Sequence, residues 1–393
     1  MKYVFLVPDG AADYPLEKLD GKTPLQVAKK PNMDFIAKNG ITGMVKTVPD
    51  GMKPGSDVAN LSLLGYDPKK YYTGRGPLEA ANMEIYLEQD EVAFRCNLIT
   101  ASDDILVDYG AGHISSEEAR ILIQALNEGL GNKGLSFYPG ISYRHLMVTK
   151  GDYSRTLCIP PHDITGQSIN KNLPKGENSS LLRKLMVSSR EILENHEVNI
   201  RRKKMGKNPA NMIWLWGQGI APSMPAFSEK YGLAGGVVSA VDLIKGIGRC
   251  IRLKVIDVPG ATGYFDTDYL AKANYALYAL KKLDFIFVHV EAPDEAGHSG
   301  DIEAKIEAIE QFDSKVVGTI LEGLKDFDYK IIVAPDHPTP ISIKTHVADP
   351  VPFAIYQAGI KPDGVEVFDE SVAKLSLLRV DEGYRLMDLF LKR

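Results

Sequence analysis

Side chains that could bind metal ions follow apolar runs that are typical of buried strands. The segment 330–346 reads KIIVAPDHPTPISIKTH, and its apolar run ends shortly before Asp336 and His337. His346 follows nine residues after His337, and the prolines between them keep this connection from becoming helical. Carboxylate and neutral imidazole are common ligands of divalent transition metals. The segment is therefore a candidate metal-binding loop.

A second pair of an acid and an imidazole follows the run FIFVHV at 285–290. The next residues read EAPDEAGH, so that Asp294 and His298 are four residues apart. On one helical turn this spacing puts both side chains on the same face, which is the geometry of a chelating pair. His289, inside the apolar run, is interpreted as a core histidine.

A third acid, Asp9, follows the amino-terminal apolar run Tyr3–Val7. Ligands of open parallel sheets bind at the carboxyl ends of the strands, so the three acids are expected to converge on one edge. Carboxylates at one edge repel one another and raise their pKa values unless cations are bound. With three histidines and one serine the donors suffice for two ions, and paired metal ions roughly 3.5 to 4 Å apart serve phosphoryl transfer.

Ser56, in the sequence KPGSDVAN, is the candidate nucleophile. Pro54 and Gly55 form a tight turn before the apolar segment Val58–Leu64, so Ser56 is expected at or near a helix amino terminus. The ordinary role of a serine there is that of an N-cap. The alternative is a nucleophile activated by a bound metal ion, whose product anion meets the positive end of the helix.

The elements that position these residues alternate between apolar strands and amphipathic helices. This order predicts an α/β fold with a doubly wound, mostly parallel sheet covered by helices on both faces. Between residues 83 and 178 the pattern changes to short strands around one amphipathic helix, Ser116–Leu130. We therefore predict a metal-binding core domain of residues 1–82 and 179–393 and a smaller inserted α+β substrate domain of residues 83–178. The strand Met212–Trp216 is assigned to the core.

The composition excludes several classes of protein. The chain has 393 residues, 25% charged and 44% hydrophobic, with a formal net charge of −5. These values are ordinary for a globular protein and argue against one that binds nucleic acid. The three cysteines, Cys96, Cys158 and Cys250, are too widely spaced for a zinc knuckle or a disulfide framework and suit a reduced, cytoplasmic setting. The chain contains no apolar run of about 18 residues, so no membrane span is predicted.

Taken in order, these motifs resemble those of the cofactor-independent phosphoglycerate mutases of the archaeal type, within the alkaline-phosphatase superfamily. The similarity covers essentially the whole chain and rests on VPDG, KPGSDVAN, DEAGH, DHPTP and a following TH. It implies an alkaline-phosphatase-like core and an isomerase of glycolysis and gluconeogenesis that interconverts 3-phosphoglycerate and 2-phosphoglycerate without 2,3-bisphosphoglycerate. Ser56 would carry a phosphoserine intermediate, and two divalent ions, Mn²⁺, Mg²⁺ or Zn²⁺, would be the cofactors. The implied ligands are Asp9, Ser56, Asp336 and His337 for one ion and Asp294, His298 and His346 for the other.

The sequence departs from the longer bacterial mutases in two respects. Those enzymes carry Asn-Ser-Glu at the nucleophile, whereas this chain has Gly55, Ser56 and Asp57, and its insert is much shorter. The residues expected to bind substrate rest on motif likeness and on the need for cations around a phosphate. They are Arg75, Arg144, His162, Asp163 and Lys230.

Three other functions are compatible with the same core. A homoserine kinase would need ATP, and the chain has no GxxxxGK[ST] phosphate loop. A metal-dependent phosphomonoesterase would let water reach the phosphoserine, which a large insert that excludes water disfavours. A non-catalytic metal-binding protein would not need Ser56 beside a full set of metal donors. The leading prediction is the mutase, which has a small phosphorylated substrate and neither a nucleic-acid nor a membrane partner.

Overall fold

The computed structural model describes residues 1–392, which divide into two compact units. The first unit comprises Met1–Tyr72 and the chain from Met224 onward, and the second comprises Thr73–Ser223. The strands, in chain order, are β1 (Lys2–Pro8), β2 (Ile41–Val45), β3 (Glu91–Ser102), β4 (Ile105–Asp108), β5 (Leu135–Tyr138), β6 (Arg144–Lys150), β7 (Thr156–Leu157), β8 (Lys175–Gly176), β9 (Met212–Gly219), β10 (Gly235–Val238), β11 (Lys254–Val255), β12 (Phe285–Val290), β13 (Tyr329–Val333), β14 (Val351–Gln357) and β15 (Arg379–Val380).

Helices connect and cover these strands. In chain order they are α1 (Pro24–Val27), α2 (Pro31–Lys38), α3 (Ser56–Leu63), α4 (Pro68–Tyr71), α5 (Arg75–Asn82), α6 (Ser116–Leu130), α7 (Ile169–Asn172), α8 (Ser179–Leu193), α9 (Glu197–Lys204), α10 (Phe227–Tyr231), α11 (Asp242–Cys250), α12 (Tyr269–Leu280), α13 (Ala292–Ser299), α14 (Ile302–Gln311), α15 (Gly318–Leu324), α16 (Glu370–Ala373) and α17 (Leu386–Leu391). A π-helical segment, Phe312–Val317, joins α14 to α15. Within residues 1–392, the helices are too short or too polar to cross a membrane.

The first unit is built on an eight-stranded sheet in the order β11-β10-β12-β1-β13-β14-β2-β15. The five strands from β11 to β13 are parallel, and β14 runs antiparallel to both of its neighbours. The predicted α/β fold with a mostly parallel sheet is thereby confirmed. The central strands are continuous apolar runs because both of their faces are covered, as is usual in parallel sheets. The centroids of the Phe5 and Phe287 rings lie 5.3 Å apart, and both side chains are fully buried. Burial of each such side chain contributes about 1.5–3 kcal/mol to the free energy of unfolding.

The second unit contains an antiparallel sheet in which β3 pairs with β4, β6 and β9, and β6 pairs with β5. The helices α6 and α8 cover it through buried residues such as Leu122, Ile123, Leu182 and Met186. Ser115 caps α6 by accepting a hydrogen bond from the amide of Glu118. This unit has the α+β composition expected of the insert.

The limits of the second unit are wider than the predicted insert 83–178. The strand β9 pairs along β3, with Leu215 opposite Cys96, and α8 packs on the same sheet. The assignment of Met212–Trp216 to the core sheet was therefore wrong. An apolar run shows that a strand is buried, but its partner is decided by contacts distant in sequence.

Candidate metal centre

The strand order of the first unit brings the three acid-bearing segments to one edge. β1 lies between β12 and β13, with Pro8 opposite Val290 and Leu6 opposite Val333. The amide of Asp9 donates a hydrogen bond to the carbonyl of Val290, 2.9 Å away, so the segments that follow β1 and β12 leave the sheet side by side. Because all three strands are parallel, the segments that follow them emerge on the same side.

One group of predicted donors surrounds the imidazole of His337. Its Nε2 atom lies 3.1 Å from Ser56 Oγ, 3.4 Å from Asp336 Oδ2 and 3.6 Å from Asp9 Oδ1. Asn60, one turn along α3 from Ser56, donates a hydrogen bond to Asp336 Oδ2 at 2.8 Å. The structure thus brings together all four residues that the resemblance implies for one ion.

Ser56 is the first residue of α3 and not its cap. The N-cap position belongs to Gly55, whose φ of 172° is extended, and no side chain caps this helix end. The interpretation of Ser56 as an N-cap serine is therefore wrong. Its hydroxyl faces His337 at the positive end of the helix dipole, where a phosphate would be stabilised.

The second group of donors surrounds the carboxylate of Asp294. Oδ2 lies 3.3 Å from His298 Nε2, and Oδ1 lies 3.4 Å from His346 Nε2. The two imidazole nitrogens are 2.9 Å apart. Asp294 and His298 meet because they are one turn apart on α13, as predicted, whereas His346 arrives from the loop after β13.

Thr339 joins the two groups. Its hydroxyl donates a hydrogen bond to Asp294 Oδ1 and lies 3.2 Å from His337 Nδ1. The rings of His337 and His346 are 4.1 Å apart. Gly10 permits this crowding, because a Cβ there would lie 2.7 Å from Thr339 Oγ1 and its φ of +63° favours glycine. The donors form one continuous cluster that can hold two neighbouring ions.

The electrostatics of the cluster fit divalent cations. Burial raises the pKa of Asp9 well above its ordinary value, and Asp336 and Asp294 raise it further. Burial acts in the same direction on Asp336, but His337 holds the pKa of Asp336 below its ordinary value. Asp9 Oδ1 is buried and has no hydrogen-bond partner among the described residues. An orphaned oxygen among repelling carboxylates is the environment that a bound cation relieves.

The Asp294 group is held together by charge. Burial acts to raise the pKa of Asp294, but hydrogen bonds with His298 and His346 hold it well below its ordinary value. Burial would conversely lower the pKa of His298, yet the hydrogen bond with Asp294 raises it to about 9. The opposite shifts of these two pKa values show that the Asp294 carboxylate favours positive charge beside it.

The sequence analysis did not assign His289 to this site. Its ring is fully buried, as expected of a core histidine, but Nε2 lies 3.1 Å from Asp9 Oδ2. Burial lowers the pKa of His289 to about 4, so the ring is neutral. The signal available in the sequence was a single imidazole within the apolar run FIFVHV.

Four of the five predicted substrate-binding residues lie in the second unit, and two of them, Arg75 and His162, lie close to the ring of Trp216. The guanidinium of Arg75 lies 5.9 Å from the Trp216 ring, and the His162 ring lies 5.4 Å from it. Arg95, which was not among the predicted site residues, lies nearer still, 4.4 Å from the ring. Its Nε atom is 2.9 Å from Glu79 Oε1. A lone arginine inside the apolar strand β3 was the signal that could have identified it.

The guanidinium group of Arg95 is repelled by two others. Burial lowers the pKa of Arg95 against the influence of Glu79, and Arg75 and Arg144 lower it further. Arg144 begins β6, and Asp163 lies beside His162 with 3.6 Å between Oδ1 and Nε2. Such a set of cations suits an anionic ligand.

Lys230 belongs to the first unit and lies away from the metal-binding groups. Its ammonium donates a hydrogen bond to the carbonyl of Gly65 and lies 4.6 Å from the Tyr66 ring. Gly65 follows the carboxyl end of α3, whereas Ser56 begins that helix. The structure therefore does not bring Lys230 to Ser56.

Comparisons with known proteins point to one family. The family model of the 2,3-bisphosphoglycerate-independent phosphoglycerate mutases matches residues 37–199. A relative from Methanothermobacter thermautotrophicus, named 2,3-bisphosphoglycerate-independent phosphoglycerate mutase 2, is 56% identical over 100% of this chain and 97% of its own. A structure of the cofactor-independent phosphoglycerate mutase from Thermoplasma acidophilum covers 100% of this chain and 99% of that chain, with 30% identity and a TM-score of 0.68. A Pyrococcus horikoshii protein of known structure covers 99% of this chain and 96% of that chain, with 31% identity and a TM-score of 0.84.

Proposed function

Since this chain belongs to the 2,3-bisphosphoglycerate-independent phosphoglycerate mutases, we propose that its interconversion of 3-phosphoglycerate and 2-phosphoglycerate proceeds through a phosphoserine at Ser56. One observation carries this proposal. The Ser56 hydroxyl lies 3.1 Å from His337 Nε2 at the amino end of α3, and the helix does not use it as a cap. A position beside the metal-binding groups would suit a nucleophile, and it supports this role for Ser56.

Two divalent ions would be held by the two groups of donors. Asp9, Ser56, Asp336 and His337 would hold one, and Asp294, His298 and His346 would hold the other. When bound, such ions neutralise the carboxylates and stabilise charge on the transferring phosphoryl group. Imidazole and carboxylate together favour Mn²⁺ or Zn²⁺ over Mg²⁺.

The transfer conserves all atoms without adding water. Ser56 Oγ attacks the phosphorus of 3-phosphoglycerate, so that a bond between Oγ and phosphorus forms while the bond to the 3-oxygen breaks. The proton of the serine hydroxyl passes to that 3-oxygen. Glycerate stays bound, and its 2-oxygen then attacks the same phosphorus, so that a bond between the 2-oxygen and phosphorus forms while the bond to Ser56 Oγ breaks. The proton of the 2-hydroxyl returns to Ser56. Water must be excluded throughout, because hydrolysis of the phosphoserine would make the enzyme a phosphatase.

The carboxylate of the substrate would bind to guanidinium groups of the second unit. Arg75 and Arg144 both repel Arg95, and an anion would relieve that repulsion. Arginine binds carboxylate through two parallel hydrogen bonds, which fix orientation as well as position. The roles of His162 and Asp163 in binding, and the predicted cytoplasmic location, stay predictions.

The test is substitution of Ser56 with alanine. Matched controls are wild type and Ser62→Ala, which removes another serine hydroxyl from the same helix, one that donates to the carbonyl of Thr47 at 2.5 Å. Mutase activity is measured with Mn²⁺ by coupling to enolase, and phosphoenzyme is trapped by rapid quench and located by mass spectrometry. We expect no turnover and no phosphoenzyme for Ser56→Ala, and a phosphoserine at residue 56 in wild type and Ser62→Ala.

Two outcomes would contradict the proposal. Activity of Ser56→Ala above a tenth of wild type would mean that less than about 1.4 kcal/mol of the barrier depends on this hydroxyl. Release of inorganic phosphate in step with substrate loss would instead identify a phosphomonoesterase. Homoserine and ATP, assayed in parallel, test the kinase alternative, and we expect no ADP to form.

A further inference from the structure

His289 lies inside the metal-binding cluster although it sits within a strand. In β12 it pairs with Val7 of β1, two residues before Asp9. Its neighbours in the strand are apolar and fully buried. An imidazole in such an environment needs a partner for each of its polar atoms. The partners of its two ring nitrogens therefore indicate the role of His289.

The two ring nitrogens have different surroundings. Nδ1 lies 3.4 Å from Ser239 Oγ, and that oxygen in turn accepts a hydrogen bond from the amide of Val241 at 3.0 Å. Nε2 lies 3.1 Å from Asp9 Oδ2. Nevertheless Nε2 makes no hydrogen bond to that carboxylate or to any other described residue. Asp9 Oδ1 is buried and lacks a partner in the same way.

Asp9 and His289 form a candidate metal-binding group together with Asp336. Donor atoms of Asp9, His289 and Asp336 all lie within 4.8 Å of one another. Ligand atoms sit about 2.0–2.2 Å from an ion such as zinc, so two of them on one ion are roughly 3–4.4 Å apart. The separation of 3.1 Å between His289 Nε2 and Asp9 Oδ2 falls in that range. A small inward movement would place all three donors on a single ion.

We propose that His289 Nε2 is a further ligand of the divalent ion held by Asp9 and Asp336. This inference rests on the metal centre proposed above and adds an imidazole to the ligands that the family resemblance implies. Ser239 orients the ring through Nδ1, as partners of ligating histidines commonly do. Two imidazoles, His289 and His337, then face this ion and make the site selective for Mn²⁺, Co²⁺ or Zn²⁺ over Mg²⁺.

The test measures metal binding directly. Wild type, His289→Asn and His289→Gln are stripped with chelator, and Mn²⁺ and Mg²⁺ are titrated by calorimetry. The matched control is His145→Gln, because His145 is equally buried and also has an unpartnered Nε2 but belongs to the second unit. We expect the affinity of one of two Mn²⁺ ions to fall at least about 10-fold in both His289 variants, with a smaller loss for Mg²⁺. His145→Gln should bind both ions like wild type.

Anomalous diffraction from Mn²⁺-soaked wild-type crystals gives the second readout. We expect a manganese peak about 2.1–2.2 Å from His289 Nε2. A peak farther than about 3 Å from Nε2, or unchanged Mn²⁺ affinity in both His289 variants, would overturn the inference and leave the metal centre standing. Wild type that binds no divalent ion would instead refute the metal centre itself. Thermal unfolding of the metal-free variants shows whether they fold. If His289→Asn is unfolded, the inference is tested by His289→Gln and by the anomalous peak.

Discussion

Lys305 joins two loops of the first unit that carry candidate metal ligands, and its substitution gives the sharpest test of that architecture. The side chain is fully buried on α14, and its ammonium lies 2.7 Å from Asp13 Oδ2 and 2.8 Å from the carbonyl of Thr339. The carboxylate of Asp13 also accepts a hydrogen bond from the amide of Ile341. The pair thus joins the segment after Asp9 to the segment after His337.

The expected magnitude follows from this burial. Removing one partner of a buried ion pair lowers the free energy of unfolding by about 3–5 kcal/mol, because the other charge stays buried without compensation. Lys305→Met keeps most of the side-chain volume and removes only the ammonium. We expect it to lower the free energy of unfolding of the metal-free first unit by that amount. The double variant Asp13→Asn with Lys305→Met should recover most of the loss, since neither charge then remains.

The assay combines urea unfolding, followed by circular dichroism, with hydrogen exchange of peptides that cover residues 9–16 and 336–349. Both tryptophans, Trp214 and Trp216, lie in the second unit, so their fluorescence controls for a change outside the first. The control variant is Lys150→Met, which breaks the exposed ion pair with Asp90 and should change stability by less than about 1 kcal/mol. A loss below about 1 kcal/mol in Lys305→Met, or a double variant as unstable as the single one, would refute the reasoning.

Two further predictions concern the metal donors. Thr339→Val removes the hydroxyl that contacts Asp294 and His337, and it should weaken Mn²⁺ binding about 10–100-fold in calorimetry; Thr339→Ser should restore binding, and equal weakness of both variants would count against the hydroxyl. The pKa of His298 is raised to about 9 in the metal-free protein, so its contribution to stability is complete below its unfolded pKa of about 6.5 and is lost as the pH rises through 9. The thermal unfolding temperature of the metal-free protein should therefore fall as the pH rises across that range. If it falls just as steeply in His298→Ala, the pH dependence comes from other groups.

The sequence by itself determined much of the local structure around the site. Apolar runs that stop at proline and an acid identified the strands before Asp9 and Asp336, because a strand buried on both faces cannot contain polar residues without partners. The spacing of Asp294 and His298 sufficed to put both on one face of α13, since helical geometry is local. The family resemblance then supplied the division of donors between two ions.

The tertiary structure decided everything that depends on strand pairing. Ser56 and His337 are 281 residues apart in the chain, yet they lie in contact. Asp9 approaches His337 because β13 lies beside β1, an arrangement that no local pattern encodes. His289 contacts Asp9 only because β12 flanks β1 on the other side. The run Met212–Trp216 could be recognised as a buried strand, yet its pairing with β3 placed it in the other unit. Apolar periodicity reports that a face is buried, whereas the partner that buries it is selected by packing across the whole chain.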